Sequence, residues 1–380
     1  MLIAIATVSR QEATDNGQLT TDYGQRTFEA MQIFETIQKL ESRQHLSRAE
    51  ARAVMERLLS GSVPDAEIVA FLAALRDKGE QPEELVGFAE VMRAHAAEGL
   101  RQSGVDVEAL RGDDPLLDTC GTGGDGHGTF NVSTAVALVA AAGGIRVAKH
   151  GNRSISSRCG SADVLEALGV ALDLPHTRIP ACLEEVGMVF LFAPSLHLAM
   201  KHVMNARRSL KTKSVFNLLG PLTNPLRASV QLVGIYDAAR TEMMARALGA
   251  VGTERAFVVT GSDGMDEITL SGPTRLSSNE RGEVRTRDVT PEEFGLARTS
   301  VLDLRGGDAQ TNARLSLSVL EGQSGPHRNV VLANAAAAFV VAGKAGGLVE
   351  GVTTAAEVID SGSALETLKK LVDFTQRNRT

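Results

Sequence analysis

Six residues with four glycines, Gly121-Thr122-Gly123-Gly124-Asp125-Gly126, stand between a short apolar run at 115–117 and an alanine-rich stretch that closes at Gly143-Gly144. Few folds accept so little side chain between two apolar segments. The pattern reads as a strand, a bare turn and a helix start, with Asn131, Ser133 and Thr134 placed to cap or to bind. Such a junction exposes backbone N–H groups and the positive end of a helix dipole, which selects an anion, phosphate first. Glycine clusters also form turns that bind nothing, so this motif alone leaves both readings open.

A second candidate strand, 145–148, runs into Lys149-His150-Gly151-Asn152-Arg153-Ser154-Ile155-Ser156-Ser157. Two strand ends thus carry polar, glycine-punctuated loops, as expected where ligands bind at the carboxyl edge of a parallel sheet. Further strands are expected at 170–172, 188–192, 230–236 and 256–260, and helices at 133–142, 161–168, 177–186 and 238–249. That alternation predicts an α/β fold with a mainly parallel sheet covered on both faces. A helical segment at 195–219 interrupts it. Arg281-Gly282-Glu283 marks a hairpin turn, 330–341 a buried alanine-rich helix, and 365–374 the last helix.

The first hundred residues read differently. Residues 9–25 are polar without a hydrophobic period, and 1–26 are expected to form a loose leader, with Met1 and Met31 both possible starts. From 27 to 103 the pattern is helical throughout. Ser47-Arg48-Ala49-Glu50 has capping-box spacing and launches a helix that stops at Gly61. Pro64-Asp65 begins another, in which Ile68, Phe71, Leu72 and Leu75 share a face, ended by Gly79; a fourth starts at Pro82 and runs to about Ala97. These helices form a small all-α domain whose apolar stripes either pack on one another or meet a second subunit. Residues 104–114 read as a polar linker.

With 39 basic against 46 acidic residues the chain carries a formal charge of −7, so no global positive field draws it to nucleic acid or an anionic membrane. No apolar run approaches a transmembrane span, and the apolar start at Met1 lacks the basic flank and cleavage site of a signal peptide. Cys120, Cys159 and Cys182 show neither metal spacing nor a disulfide framework, which points to a reducing, cytoplasmic setting.

Taken together, GTGGDG, FNVSTA, AKHGNRSISS and GSADVLEALG resemble anthranilate phosphoribosyltransferase. The resemblance continues through HLAMKHVMNARRSLKTKSVFNLLGPLTNP, DGMDE, RGGDAQTNA and NVVLANAAAAFVVAGKA, from about Met31 to the C-terminus. It implies transfer of the 5-phosphoribosyl group of phosphoribosyl pyrophosphate to the amine of anthranilate, with release of pyrophosphate, the second step of tryptophan biosynthesis from chorismate. It also implies a discontinuous helical domain (27–103 joined by 195–225), an α/β domain (113–194 and 226–380) and a homodimer formed through the helical domain. Nucleoside phosphorylases of this architecture lack the KHGN and NVST blocks in this form. A nucleic-acid-binding relative would need a basic groove that the charge opposes.

Carried over by position, the donor site comprises Gly121, Gly124, Asp125, Thr129, Asn131, Val132, Ser133, Thr134, the run Lys149, His150, Gly151, Asn152, Arg153, Ser154, Ile155, Ser156 and Ser157, and Ser161. Asp125 either meets magnesium or ribose hydroxyls or caps its own turn; His150 either packs and orients or acts as a base. Asp266 and Glu267, with Ser133, are implied ligands of magnesium, two ions per active site, as suits hard oxygen donors. Gly121, Asn152 and Arg207 match the anthranilate positions, and the planar fork of Arg207 suits a carboxylate. The chain departs from the family pattern at Leu198 (usually Pro), Lys211 (Gly), Lys213-Ser214 (Arg-Thr) and Thr260 (His), around the acceptor side and the hinge.

Overall fold

The computed structural model describes residues 33–112, 114–154 and 158–379. The leader and Ile155, Ser156 and Ser157 lie outside the described residues.

Four helices open the fold: α1 (33–41), α2 (Arg48–Ser60), α3 (Asp65–Lys78) and α4 (Pro82–Gln102). The capping box forms as the sequence predicts, Ser47 N–H donating to Glu50 Oε2 at 2.8 Å and Glu50 N–H to Ser47 Oγ at 3.3 Å. Ile68, Phe71, Leu72 and Leu75 are buried, and Phe71 meets Phe88 edge-on at 6.2 Å, which joins α3 to α4. Each such side chain contributes roughly 1.5–3 kcal/mol by leaving water. α4 continues a turn beyond its expected end. Its buried Arg93 donates to the carbonyls of Leu222 (2.5 Å) and Val251 (2.6 Å), so the helical layer is tied to the rest of the chain through backbone.

The expected linker at 104–114 contains a further helix, α5 (Val107–Arg111). Asp106 caps it by accepting from the N–H groups of Glu108 and Ala109, and Val105 and Val107 are drawn into the α/β core.

Seven strands form one sheet: β1 (Leu116–Gly121), β2 (Arg146–Gly151), β3 (Met188–Phe192), β4 (Val230–Gly234), β5 (Arg255–Gly261), β6 (Thr274–Glu280) and β7 (Glu283–Val289), in the order β3-β2-β1-β4-β5-β6-β7. β1 to β5 pair in parallel; β6 and β7 are an antiparallel hairpin turned at Arg281-Gly282, both residues with positive φ. Residues 170–172 are not a strand. Val170 N–H is spent on the Leu165 carbonyl closing α7 (Ser161–Ala167), and Ala171 N–H on Thr375 Oγ1 of the last helix, so neither is free for a ladder.

The sheet is covered by α6 (Val132–Ala142), α8 (Ile179–Val186), α12 (Thr241–Ala250), α13 (Ala309–Leu320), α14 (Pro326–Val341), α15 (Leu348–Asp360) and α16 (Ser363–Arg377). α14 packs on α6 and α15. Between β3 and β4 lie α9 (Ala193–Leu196), a 3-10 turn at Leu198–His202, α10 (Met204–Leu210) and α11 (Phe216–Leu219). Val203, Ala206 and Phe216 of this insertion share one apolar core with Phe71 and Leu72 of the N-terminal helices and with Met244 and Leu248 of α12. Among the described residues no helix is long and apolar enough to cross a membrane.

Candidate active site

β1 and β4 end side by side, Gly121 opposite Gly234, and the acidic loop after β5 lies directly over both. A Cβ on Gly234 would fall 1.5 Å from the carbonyl oxygen of Asp266, and one on Gly121 2.7 Å from Asp266 Oδ2. These glycines are therefore demanded by the loop above them as well as by any ligand. Asp263 holds that loop in shape, accepting from Met265 N–H at 3.1 Å and from the hydroxyls of Thr269 and Ser271, each at 2.6 Å.

So held, the loop presents two carboxylates to the anion-seeking backbone. Asp266 Oδ2 accepts from Gly123 N–H at 2.8 Å, and Glu267 Oε1 from Ser133 N–H, in the first turn of α6, at 3.1 Å. The N–H groups read from sequence as a phosphate cradle here meet the protein's own acids. Asp125 adds a third: Oδ1 accepts from His127 N–H at 3.2 Å, while Oδ2 is buried without a partner. The turn-capping reading of Asp125 thus accounts for one oxygen only. Burial, with Asp125 beside it, raises Asp266 to about 7, and burial with Asp266 raises Glu267 well above the carboxylate range. Crowded acids of this kind fit a cation. No group of three His, Cys, Asp or Glu among the described residues is arranged to hold one unaided, as suits a metal completed by water and substrate phosphates.

Lys149 is fully buried. Its ammonium donates to the Thr119 carbonyl at 2.5 Å and to Ser133 Oγ at 3.2 Å; burial lowers its pKa, opposed chiefly by Asp118. It is an internal counter-charge at the base of the site rather than a point charge projecting from the strand end. The first turn of α6 likewise divides: Val132 and Thr134 have buried side chains and can offer a ligand only backbone, and Ser133 faces the site.

The loop after β2 is organised by Asp163, which accepts from Gly160 N–H (2.8 Å) and Ser154 N–H (3.1 Å). Arg153 does not project into the site: its exposed guanidinium pairs with Asp163 and Glu166. Ser161 Oγ donates to the Asn152 carbonyl at 3.4 Å, and Gly151 lacks a side chain because a Cβ would lie 2.2 Å from that hydroxyl. Asn131 is tied down, accepting from Asn312 Nδ2 at 2.9 Å and donating to the Cys159 carbonyl at 3.3 Å, while Thr129 bridges to Arg305. The segment 305–313 is thus a brace for the glycine loop. Burial pushes the Cys159 thiol up to about 11 and Cys182 to about 12, so neither is a ready nucleophile.

Where β2 meets the insertion, the buried rings of His150 and His197 lie 5.1 Å apart. Burial drives them down to about 3 and about 4, so both are neutral, which favours the packing and orienting reading of His150. On α10 the Arg207 guanidinium sits 4.8 Å from the centre of the Phe216 ring, half-buried and with no ion-pair partner among the described residues; burial lowers it to about 10. Arg208 is exposed. Lys211 closes α10 in the left-handed region (φ 53°), the conformation glycine takes freely. Thr260 Oγ1 donates to the Ile235 carbonyl at 2.6 Å, and Leu198 is exposed.

Sequence reasoning gave no role to His197, Asn312 or Tyr236. The first two lie inside quoted motifs, but only the folded chain shows what they touch.

Known proteins agree with this architecture. The glycosyl transferase family a/b domain matches residues 113–365, and the helical bundle domain of the same family matches 34–96. The chain is 48% identical over 340 residues to an anthranilate phosphoribosyltransferase of Moorella thermoacetica, covering 90% of this chain and 97% of that one. It is 50% identical over 344 residues to that of Solibacter usitatus, covering 90% and 99%. Among solved structures, an anthranilate phosphoribosyltransferase of Thermus thermophilus superposes with a TM-score of 0.80 at 42% identity, over 90% of this chain and 99% of that one. The Saccharomyces cerevisiae protein, solved in complex with PRPP and Mg, gives 0.80 at 27% identity, over 91% and 98%.

Proposed function

The chain belongs to the anthranilate phosphoribosyltransferase family, and on that premise we propose how its own residues divide the work of joining a 5-phosphoribosyl group to anthranilate. The observation that carries the division is the seat of Asp266 and Glu267 on the N–H groups of Gly123 and Ser133. Diphosphate and acidic loop seek the same donors, so the two share the site only when a cation lies between them. Asp125, Ser133, Asp266 and Glu267 hold magnesium, two ions per active site, and the metal supplies charge neutralisation to the departing pyrophosphate.

The glycine loop and the start of α6 fix the diphosphate. Lys149 keeps the base of the site positive, and Gly151, Asn152 and Ser161 border the sugar phosphate. Arg207 receives the acceptor carboxylate, and Gly121 and Asn152 line the approach of its amine. The bond between the sugar carbon and the pyrophosphate oxygen breaks as the carbon–nitrogen bond forms. The aryl ammonium so produced is acidic enough to lose its proton to water, so two neutral buried histidines are no obstacle. Positioning and electrostatics supply the catalysis without a covalent enzyme intermediate.

Asn152 follows β2 whereas Arg207 belongs to the helical insertion, so the acceptor binds at the junction of the helical domain (27–103 with 195–225) and the α/β domain and favours a closed form. The enzyme works as a cytoplasmic homodimer joined through the helical domain, on which Phe34 and Leu198 are exposed. The decisive experiment follows the loss of anthranilate fluorescence on adding phosphoribosyl pyrophosphate and magnesium, in a chain with no Trp to interfere. No loss at any magnesium concentration overturns the reading.

A further inference from the structure

Lys213 lies in the helical insertion, on the segment between α10 and α11, yet its side chain reaches the glycine loop. Its Nζ donates to the Gly124 carbonyl at 2.8 Å and lies 3.2 Å from the centre of the Tyr236 ring. Tyr236 follows β4 and is itself attached to the loop, its N–H donating to Thr122 Oγ1 at 3.4 Å. A Cβ on Gly124 would lie 3.1 Å from Lys213 Cε, so this glycine leaves room for the lysine stem. Asp266, Asp125 and Asp237 are its charged neighbours. No ion pair fixes Lys213 among the described residues, and one hydrogen bond uses one of the three donors of an ammonium.

We propose that Lys213 is a further donor-positioning residue: a mobile cation that rests on Tyr236 and the Gly124 carbonyl in the free enzyme and passes to the diphosphate of the sugar donor when that donor occupies the glycine loop. A ring face and a neutral carbonyl are weaker partners for an ammonium than a phosphate oxygen. The exchange therefore runs toward the donor, and the Tyr236 ring loses its cation as it occurs. Because Lys213 belongs to the insertion and Gly124 to the sheet edge, the same transfer couples donor binding to the approach of the two sides. The inference rests on the donor site proposed above.

The test combines kinetics with the near-ultraviolet absorbance of Tyr236, one of two tyrosines in the chain. In a Tyr23→Phe background, titration with phosphoribosyl pyrophosphate and magnesium should shift the tyrosine band. The shift should vanish in Tyr236→Phe and in Lys213→Met. Lys213→Met should raise the donor KM by roughly 10- to 100-fold, the loss of one charge-assisted hydrogen bond, and Lys213→Arg should restore most of it. The anthranilate KM, measured at saturating donor, should change less than the donor KM. A Lys213→Met enzyme with an unchanged donor KM, or a tyrosine band indifferent to donor in an active native enzyme, overturns the role of Lys213 alone. A native enzyme that neither binds nor turns over the donor removes the donor site and this inference with it.

Discussion

Arg207→Ala should cripple acceptor recognition and spare the donor. The guanidinium has Phe216 on one face, and Nη1 lies 3.9 Å from Met204 Sδ. Neither contact satisfies its charge, and burial lowers it to about 10 with nothing opposing. A carboxylate arriving there relieves a desolvation cost already met during folding, so the full value of a charge-assisted hydrogen bond, about 1.5–3 kcal/mol, goes into binding. At about 1.4 kcal/mol per decade, removing it weakens apparent anthranilate affinity roughly 10- to 150-fold. Successive residues of a helix point about 100° apart, and Arg208, the neighbour on α10, is turned to solvent, so Arg208→Ala should change the acceptor constant less than about twofold. Arg207→Lys keeps the charge but loses the fork and should fall between the two. Both Michaelis constants are read from the decay of anthranilate fluorescence. Equal small effects of Arg207→Ala and Arg208→Ala, or a larger acceptor defect in the second, refute the assignment.

The acidic loop gives a pH signature: with Asp266 raised to about 7 from an ordinary carboxylate value, the folded state holds a proton that the unfolded chain has released between roughly pH 4 and 7, so this group makes stability fall as pH rises. His150 and His197, pushed down, act with the opposite sign over the same window, so the measurement is the difference in melting temperature between the native protein and Asp266→Asn across pH 4.5–7.5. The variant should gain relative stability toward pH 7.5, and magnesium should cancel the gain; a difference flat with pH removes Asp266 from the crowded site. Two glycine substitutions should part company, since Gly234→Ala drives a Cβ into backbone and should lower the yield of folded protein, whereas Gly121→Ala meets only the Asp266 carboxylate and should fold while losing magnesium-dependent turnover. Indistinguishable melting curves for these two variants contradict the packing. Leu198→Glu with Phe34→Glu should convert a dimer to a monomer by light scattering, and an unchanged mass rules those residues out of the interface.

The architecture was legible wherever one local signal decided it. The capping box at Ser47, the glycine stops at 61 and 79 and the turn at Arg281-Gly282 act within a few residues and stand as read. Errors came where distant partners intervene. Val170-Ala171-Leu172 has the composition of a strand, but Gly169 turns the chain with φ 96° and Thr375, some two hundred residues on, claims a backbone donor. The polar run 104–114 looked like a linker because Asp106 and Glu108 dominate it, while its two valines at i and i+2 are what the core takes. Thr375 and that core lie outside any local window.

The site shows the same division more sharply. The residues implied by the motifs as metal ligands lie near one another, Asp266 and Glu267 on the loop after β5 seated on the N–H groups of Gly123 and Ser133, and Asp125 on the glycine loop after β1. Motif spacing could not assign the direction in which Lys149 and Arg153 point. Both are cations beside an anion-suited loop, and on sequence both belong to the diphosphate. Alternation along β2 sends Lys149 inward, against Thr119 and Ser133, because strand side chains alternate and the next residue, His150, packs against His197 from the insertion. Arg153, past the strand, is captured by Asp163 and Glu166 of α7, whose carboxylates lie ten and thirteen residues on. Lys149 and Arg153 are thus both engaged within the α/β part. On the insertion, Arg207 has no ion-pair partner among the described residues and Lys213 rests on a ring, so under the function proposed above anionic substrates that recruit these two cations would favour approach of the two sides.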